Sequence, residues 1–157
     1  METDECMSVF REFVKAEKSK QWKKEKKEIR TKLKTLSKYE AEAKKEFQKW
    51  IRLRDAGKPC ISCGINTHDR DGGHYFKAEI YSGLIFDPRN CHSQCRKCNR
   101  YEGGKQAEYR MGLVRRYSPK FVEELEQDSI KLRDYKFTKE ELIEIKEKYR
   151  KLNNPKY

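Results

Sequence analysis

Two C-x2-C pairs, Cys60-Ile-Ser-Cys63 and Cys95-Arg-Lys-Cys98, constrain this chain more than any other feature. Together they supply the four thiolates of a closed tetrahedral zinc site, which needs no further ligand and can staple a fold whose core is too small to hold it. The 31 residues between the pairs (64–94) exceed what a plain zinc ribbon requires. They leave room for a strand, a turn and a second strand, and a helix after the second pair would complete a small zinc-stapled ββα finger, an α+β unit. An iron centre or a redox dithiol is the other use of such cysteines, and the basic, glycine-bounded flanks favour zinc.

Composition limits what surrounds that finger. Of 157 residues, 35% are hydrophobic and 41% charged, enough apolar material for one compact domain with appendages. No apolar run approaches the roughly 18 residues of a membrane helix. The acidic start, Met1-Glu-Thr-Asp-Glu-Cys6, is unlike a signal peptide, so a cytoplasmic protein with no membrane partner is expected. In that compartment thiols hold metal rather than pair as disulfides. Cys6 and Cys91 lie outside the pairs and read as a free thiol and a small buried hydrophobe.

The net charge of +12 is unevenly placed. Residues 15–38 carry eleven Lys/Arg against three Glu, and residues 95–120 carry eight against two, whereas 121–157 hold nine of each sign. Two basic blocks, one beside the cysteine pairs and one far from them, suit a polyanion that passes the finger and extends beyond it, and nucleic acid is the partner this implies.

Residues 8–55 contain neither Gly nor Pro and are rich in Lys, Glu, Ala and Leu, which predicts one long helix or two. Trp22, Ile29, Leu36, Ala43 and Trp50 recur every seven residues, with Leu33, Tyr39 and Phe47 beside them. That stripe is either a dimer seam or a face packed on its own domain. The chain divides into a basic helical arm (1–55, for dimerisation or DNA binding), the zinc-containing core (56–118) and a C-terminal helical pair (119–157). Within the core, His74–Ile80 and Leu84–Phe86 read as strands. A helix from about Lys105 to Tyr117 follows, with Ala107, Met111 and Val114 or Leu113 inward. Two helices, about 120–133 and 139–152, complete the chain, the latter opened by a capping box at Thr138 and Glu141, and Asn153-Asn154-Pro155 should fray.

His74 and Asn99 are the residues left for chemistry. A neutral imidazole can take a proton from water near neutral pH, and the amide oxygen of Asn99, fixed beside a zinc thiolate, is a hard ligand for Mg or Mn. Asn90, after the second expected strand, can bridge two backbone segments and hold the His74 strand in place. Arg96, Lys97, Arg100, Lys105 and Arg110 either hold phosphates or serve solubility. Tyr75, Phe76 and Phe86 read as finger core, and His68 as a solvated loop residue. The plainer alternatives are a satisfied strand histidine at 74, a helix cap at Asn99 and an ordinary turn residue at Asn90.

The run Asn90-Cys-His-Ser-Gln-Cys95-Arg-Lys-Cys98-Asn99 resembles the HNH signature, with Asn99 in place of its final histidine. The H-N-N form is similar to phage endonuclease VII, whose second knuckle likewise continues as Cys98-Asn99-Arg-Tyr-Glu102-Gly103 does here. A closer likeness, over about residues 40–118, is carried by Arg54-Asp-Ala-Gly-Lys-Pro-Cys60-Ile-Ser-Cys63-Gly, Gly73-His-Tyr75, Phe86-Asp-Pro-x-Asn90-Cys-His-x-Gln-Cys95-x-x-Cys98-Asn99-Arg and Tyr109-Arg-x-Gly-Leu113. It resembles the NinG (Rap) recombination proteins of lambdoid phages.

The resemblance implies an HNH, treble-clef-like ββα-metal core. It also implies a structure-specific endonuclease that hydrolyses branched recombination intermediates such as Holliday junctions and D-loops. Cys60, Cys63, Cys95 and Cys98 would hold structural zinc, and His74, Asn90 and Asn99 would be catalytic. A homodimer would let two sites cut opposed strands. One departure matters: where endonuclease VII has a metal-binding aspartate before its catalytic histidine, this chain has Gly73. The missing ligand is sought among Asp71, expected on the His74 face, Glu102 and His92, which is favoured, although His92 could instead brace the knuckle.

Overall fold

The computed structural model describes residues 2–32 and 35–154, with side chains left out at 2–6 and 32. Packing divides the chain into two units, Met1–Thr35 and Leu36–Tyr157. The first is helix α1 (Glu2–Lys32), whose Gly- and Pro-free sequence of strong helix formers accounts for its length. Its Met7, Phe10, Phe13, Trp22 and Ile29 are exposed.

The boundary expected at residue 55 falls instead near 35, because α2 (Leu36–Arg54) belongs to the second unit. Ala43, Phe47 and Ile51 on α2 are fully buried with Leu142 and Tyr149 of α5 (Lys139–Asn153), so core and C-terminal helices form one body. The seven-residue stripe is therefore two things. Ala43 and Phe47 are core, and Trp50 stacks on Phe47 at 6.5 Å, so these positions are used within their own unit. Trp22 and Ile29 remain exposed on α1. Leu33, and the side chain of Cys6, lie outside the described residues.

The sheet is a two-stranded antiparallel pair, β1 (Arg70–His74) and β2 (Cys91–Cys95), in the register Arg70↔Cys95 through His74↔Cys91. Neither strand is where hydrophobic alternation put it. The chain leaves the ladder after His74 because the Tyr75 amide donates to the Asn90 carbonyl at 2.8 Å and the Phe76 amide to Asn90 Oδ1 at 2.7 Å, which folds residues 75–90 into a loop. Leu84 ends a short 3-10 turn (Ser82–Leu84) and is fully buried. The second strand is the segment that runs into the second cysteine pair, Cys91-His-Ser-Gln-Cys95, buried at every position and invisible to a search for alternating apolar residues.

A π-helical turn (Lys97–Tyr101) and a left-handed run at Gly103, Gly104 and Lys105 lead into α3 (Gln106–Arg116). Ala107 and Met111 face solvent; Tyr109, Gly112 and Leu113 face inward. A Cβ at Gly112 would sit 1.8 Å from the Ile61 carbonyl oxygen, so only glycine lets α3 lie this close on the first knuckle. Ser118 caps α4 (Pro119–Leu132) by accepting from the Phe121 amide. The capping box of α5 is present, the Thr138 side chain and Glu141 each accepting from the other's backbone amide. Asn153 is buried rather than frayed, its amide donating to the Glu46 carbonyl at 3.0 Å and to Glu46 Oε2 at 2.9 Å. Ile61, Leu84, Tyr109, Leu113, Val122 and Leu125 form a second apolar cluster between α3, α4 and the loop. Pro155 lies outside the described residues.

Candidate functional site

The sulfurs of Cys60, Cys63, Cys95 and Cys98 all lie within 4.8 Å of one another, and Cys63 and Cys95 Sγ are 3.8 Å apart. Zinc–sulfur bonds of about 2.3 Å at tetrahedral angles separate ligands by about 3.8 Å, so the spacing fits. The Cys95 amide donates to Cys60 Sγ at 3.3 Å and the Cys98 amide to Cys95 Sγ at 3.5 Å, contacts that favour thiolates. Four soft donors with no open position fit a structural zinc ion held by these residues. Cys91 stands apart, fully buried among apolar residues, and burial pushes its thiol well up.

Beside the cluster, His74 and Asn99 line one cleft of about 400 Å³, together with Gln48, Gly72, Lys77 and Gln106. His74 Nε2 lies 2.9 Å from the Ile85 carbonyl oxygen. A carbonyl can only accept, so Nε2 carries the proton and Nδ1 the lone pair. Burial lowers the His74 pKa below its usual 6.5, which keeps the ring neutral at neutral pH. Asn90 is fully buried and bridges the loop as expected, donating to the Phe76 carbonyl at 3.0 Å and the Leu84 carbonyl at 3.1 Å besides accepting from the Phe76 amide. Asn99 follows Cys98 on the π-helical turn, and its Nδ2 reaches Asp71 Oδ2 at 3.4 Å.

His92 is not among the residues brought to this cleft. It is fully buried, with Nδ1 3.2 Å from the Tyr109 hydroxyl and Nε2 2.9 Å from the Tyr117 hydroxyl. Because Tyr109 donates its proton to the Gly73 carbonyl at 2.8 Å, it must accept from Nδ1–H, leaving Nε2 to accept from Tyr117. Both ring nitrogens are thus committed, and the favoured ligand assignment is overturned; His92 braces β1 instead. Burial pushes its pKa down to about 3. Asp71 lies three residues before His74, so strand alternation puts the two on opposite faces, contrary to expectation. Arg100 holds Asp71 through two bonds of 2.6 and 3.0 Å. Burial acts against ionisation of Asp71, but Arg100, Asn99 and Arg96 outweigh it and hold the pKa below the usual carboxylate range.

Every cation expected to hold phosphate faces a carboxylate: Arg96 meets Asp69 at 2.8 Å, Arg100 meets Asp71 at 2.6 Å, Lys105 meets Glu102 at 3.0 Å and Arg110 meets Glu126 at 2.7 Å. Lys97 lies 3.7 Å from Glu102. Sequence reasoning missed Gln48 and Lys77 of the cleft, and it missed Gln94. That side chain is fully buried, donating to Ser62 Oγ at 2.7 Å and the Gly104 carbonyl at 2.6 Å. Its Oε1 would lie 2.2 Å from a Cβ at Gly73, so glutamine occupies the space that an aspartate before His74 would need. An isolated glutamine just before a ligand cysteine carries no signal of this role.

A mixed α+β fold with a small two-stranded sheet and a four-cysteine cluster able to bind zinc defines the class of this protein. The family model described as "Bacteriophage Lambda NinG protein" matches residues 7–155, and the chain belongs to that family. It is 37% identical over 118 residues to "Protein ninG" of Escherichia phage 933W, covering 74% of this chain and 57% of that relative. Agreement with the protein of the same name from Salmonella phage P22 is also 37%, over the same shares of both chains. For that of Escherichia phage lambda it is 36%, over 74% of this chain and 56% of the relative. The chain thus spans less than two thirds of the length of these relatives. No solved structure matches it. Among the described residues, no helix is long and apolar enough to cross a membrane.

Proposed function

We propose that this protein is a metal-dependent endonuclease of the HNH type that cuts branched DNA, Holliday junctions and D-loops among them, during phage recombination in the cytoplasm of the bacterial host. The observation that carries the reading is the meeting of His74, with its tautomer fixed by Ile85, and Asn99 in one cleft beside the zinc cluster. His74 Nδ1 takes the proton of an attacking water. Asn90 keeps the loop that carries the Ile85 carbonyl in place. Magnesium commonly takes only one or two protein ligands and fills its shell with water and phosphate oxygen. The Asn99 amide oxygen, on a residue that lines the His74 cleft, suits such an ion, Mg or Mn, and would hold it. When bound, the ion would neutralise charge on the phosphate and the leaving oxygen. Phosphate contacts carry no base sequence, so selectivity for branches would come from the placement of basic surfaces or of two subunits around the junction.

The test is cleavage of a labelled four-way junction and a matched linear duplex with Mg, with Mn and without added divalent ion, by wild type and His74→Ala. Metal-dependent cutting restricted to the junction and lost in the variant is the expected result. Equal cutting of junction and duplex would indicate a less selective nicking enzyme. Two observations favour a non-catalytic zinc-finger DNA-binding protein: Gly73 replaces the metal-binding carboxylate, and Arg100 holds Asp71. Tight binding without cutting under either metal would establish that alternative.

A further inference from the structure

Arg96, Arg100, Lys105 and Arg110, the cations expected to hold phosphate, are neutralised locally, but other positive charge of the second unit is not. On α2, Lys45, Lys49 and Arg52 recur at i, i+4 and i+7, all exposed. The acids of α2 are turned away from them: Glu40 pairs with Lys44 at 2.7 Å, Glu42 with Lys146 at 3.1 Å, and Glu46 bonds Asn153 at 2.9 Å. Among the described residues these three cations form no ion pair.

Their position relative to the cleft is specific. Gln48 lines the cleft that holds His74. Arg52, one turn further along α2, lines a neighbouring cavity of about 430 Å³ with Asn66, Thr67, His68 and Ser93. The two openings also adjoin across the sheet, since Gly72 borders the first and its register partner Ser93 the second. Ser93 Oγ is buried and has no hydrogen-bond partner. Asp55 borders the cavity too, but its carboxylate is already engaged by Arg54, Lys58 and the Ser93 amide. Arg70, on the same wall, is engaged by the Thr67 and Lys58 carbonyls and by Asn66.

We propose that the Lys45–Lys49–Arg52 line and this cavity form a second phosphate-binding site, one that holds the DNA backbone beside the phosphate placed at His74. The identity of the polyanion rests on the endonuclease reading. At a helical rise of about 1.5 Å per residue the line is about 10 Å long, and its three cations can neutralise about two or three neighbouring phosphates. Lys45 and Lys49 supply charge, and the Arg52 guanidinium and Ser93 hydroxyl supply donors at the cavity end.

The test compares Lys45→Gln/Lys49→Gln/Arg52→Gln with Lys131→Gln/Lys136→Gln/Lys151→Gln. The second set removes the same charge from exposed positions on or beside α4 and α5. Binding of a fluorescent four-way junction is followed by anisotropy over a salt series without added divalent ion, after circular dichroism confirms that both variants fold. The α2 variant should bind at least about tenfold more weakly near 0.1 M salt, and the slope of log affinity against log salt should flatten by about 2 to 3. The control set should keep the wild-type slope. Equal slopes in all three proteins, or equal losses in both variants, would overturn the site, and so would a wild type that binds no DNA. If the α2 variant alone loses binding while no protein cleaves under Mg or Mn, the phosphate site stands and the nuclease reading falls.

Discussion

The Nε2 atom of His74 lies 2.9 Å from the carbonyl oxygen of Ile85, a residue on the far side of the loop that follows β1. This contact fixes which nitrogen is basic, Nδ1 of a neutral ring that lines the cleft. His74→Ala should reduce junction cleavage by about 10²- to 10⁴-fold while binding stays near wild type. Because burial lowers the pKa, the ring remains unprotonated below its usual 6.5, so the acid limb of the cleavage rate should lie below pH 6.5. A rate profile whose acid limb sits above 6.5 would assign that limb to another group.

The cysteine cluster should bind one zinc ion per chain by elemental analysis. Cys98→Ser should lose the metal and the near-ultraviolet signature of the packed core, since structural zinc contributes on the order of 10 kcal/mol to such small folds. Cys91→Ala should retain full zinc, because Cys91 belongs to the α2–α5 core.

Asn90 makes three bonds to the loop through its carboxamide. Asn90→Ala would leave these partners buried and unpaired and should cost about 2–4 kcal/mol in urea unfolding. Asn90→Asp should be no better, since a carboxylate keeps the bond from Phe76 N–H but faces two carbonyl oxygens where the amide donated.

His92 is buried in its neutral form, so the unfolded chain binds a proton more readily than the folded one. The stability this provides is complete above pH 6.5 and declines as pH falls from there toward the folded pKa of about 3. The loss should reach about 1 kcal/mol by pH 5.5. His74, also shifted down by burial, acts in the same direction. His92→Gln, which can still donate to and accept from tyrosine, should weaken this slope in thermal melts between pH 7.5 and 5.5. A variant as pH-sensitive as wild type would place the titration elsewhere.

At Gly73, alanine would set a Cβ 2.2 Å from Gln94 Oε1 and 3.0 Å from Gln94 Cβ. Gln94 is anchored at Ser62 and Gly104, so Gly73→Ala should cost about 1–3 kcal/mol by denaturant unfolding. Gly73→Asp should be at least as costly and should not raise cleavage.

The sequence made some of this legible because the signals were local. C-x2-C spacing marked the four sulfurs, Thr138 and Glu141 marked the start of α5, and Asn90 was assigned its bridging amide. What failed depended on distant partners. Hydrophobic alternation placed strands at 74–80 and 84–86, yet apolar side chains there such as Tyr75, Leu84 and Phe86 pack into the core from a loop, and the ladder runs through Gly72, Gly73 and the polar segment 91–95. His92 looked like a ligand until Tyr109 and Tyr117 arrived from α3 and the turn after it. Seven-residue spacing ran through Trp22 and Trp50 alike, and the half that includes Ala43 and Trp50 packs with α5. Positive charge near the cluster suggested a phosphate grip, and only three-dimensional pairing revealed that Arg96, Arg100, Lys105 and Arg110 were already answered.

The pairing of α2 with α5 also sets an order of assembly. Lys146 and Glu42 are 104 residues apart in sequence, Asn153 and Glu46 are 107 apart, and both pairs close the same seam. During synthesis the part of the α2 face that meets Leu142 and Tyr149 stays bare until residues 139–153 leave the ribosome. The cysteine knuckles have by then emerged in full and can capture zinc. The metal-bound finger should thus form first, as a local nucleus, and the helical clamp that shields Phe47 should be a late event in folding.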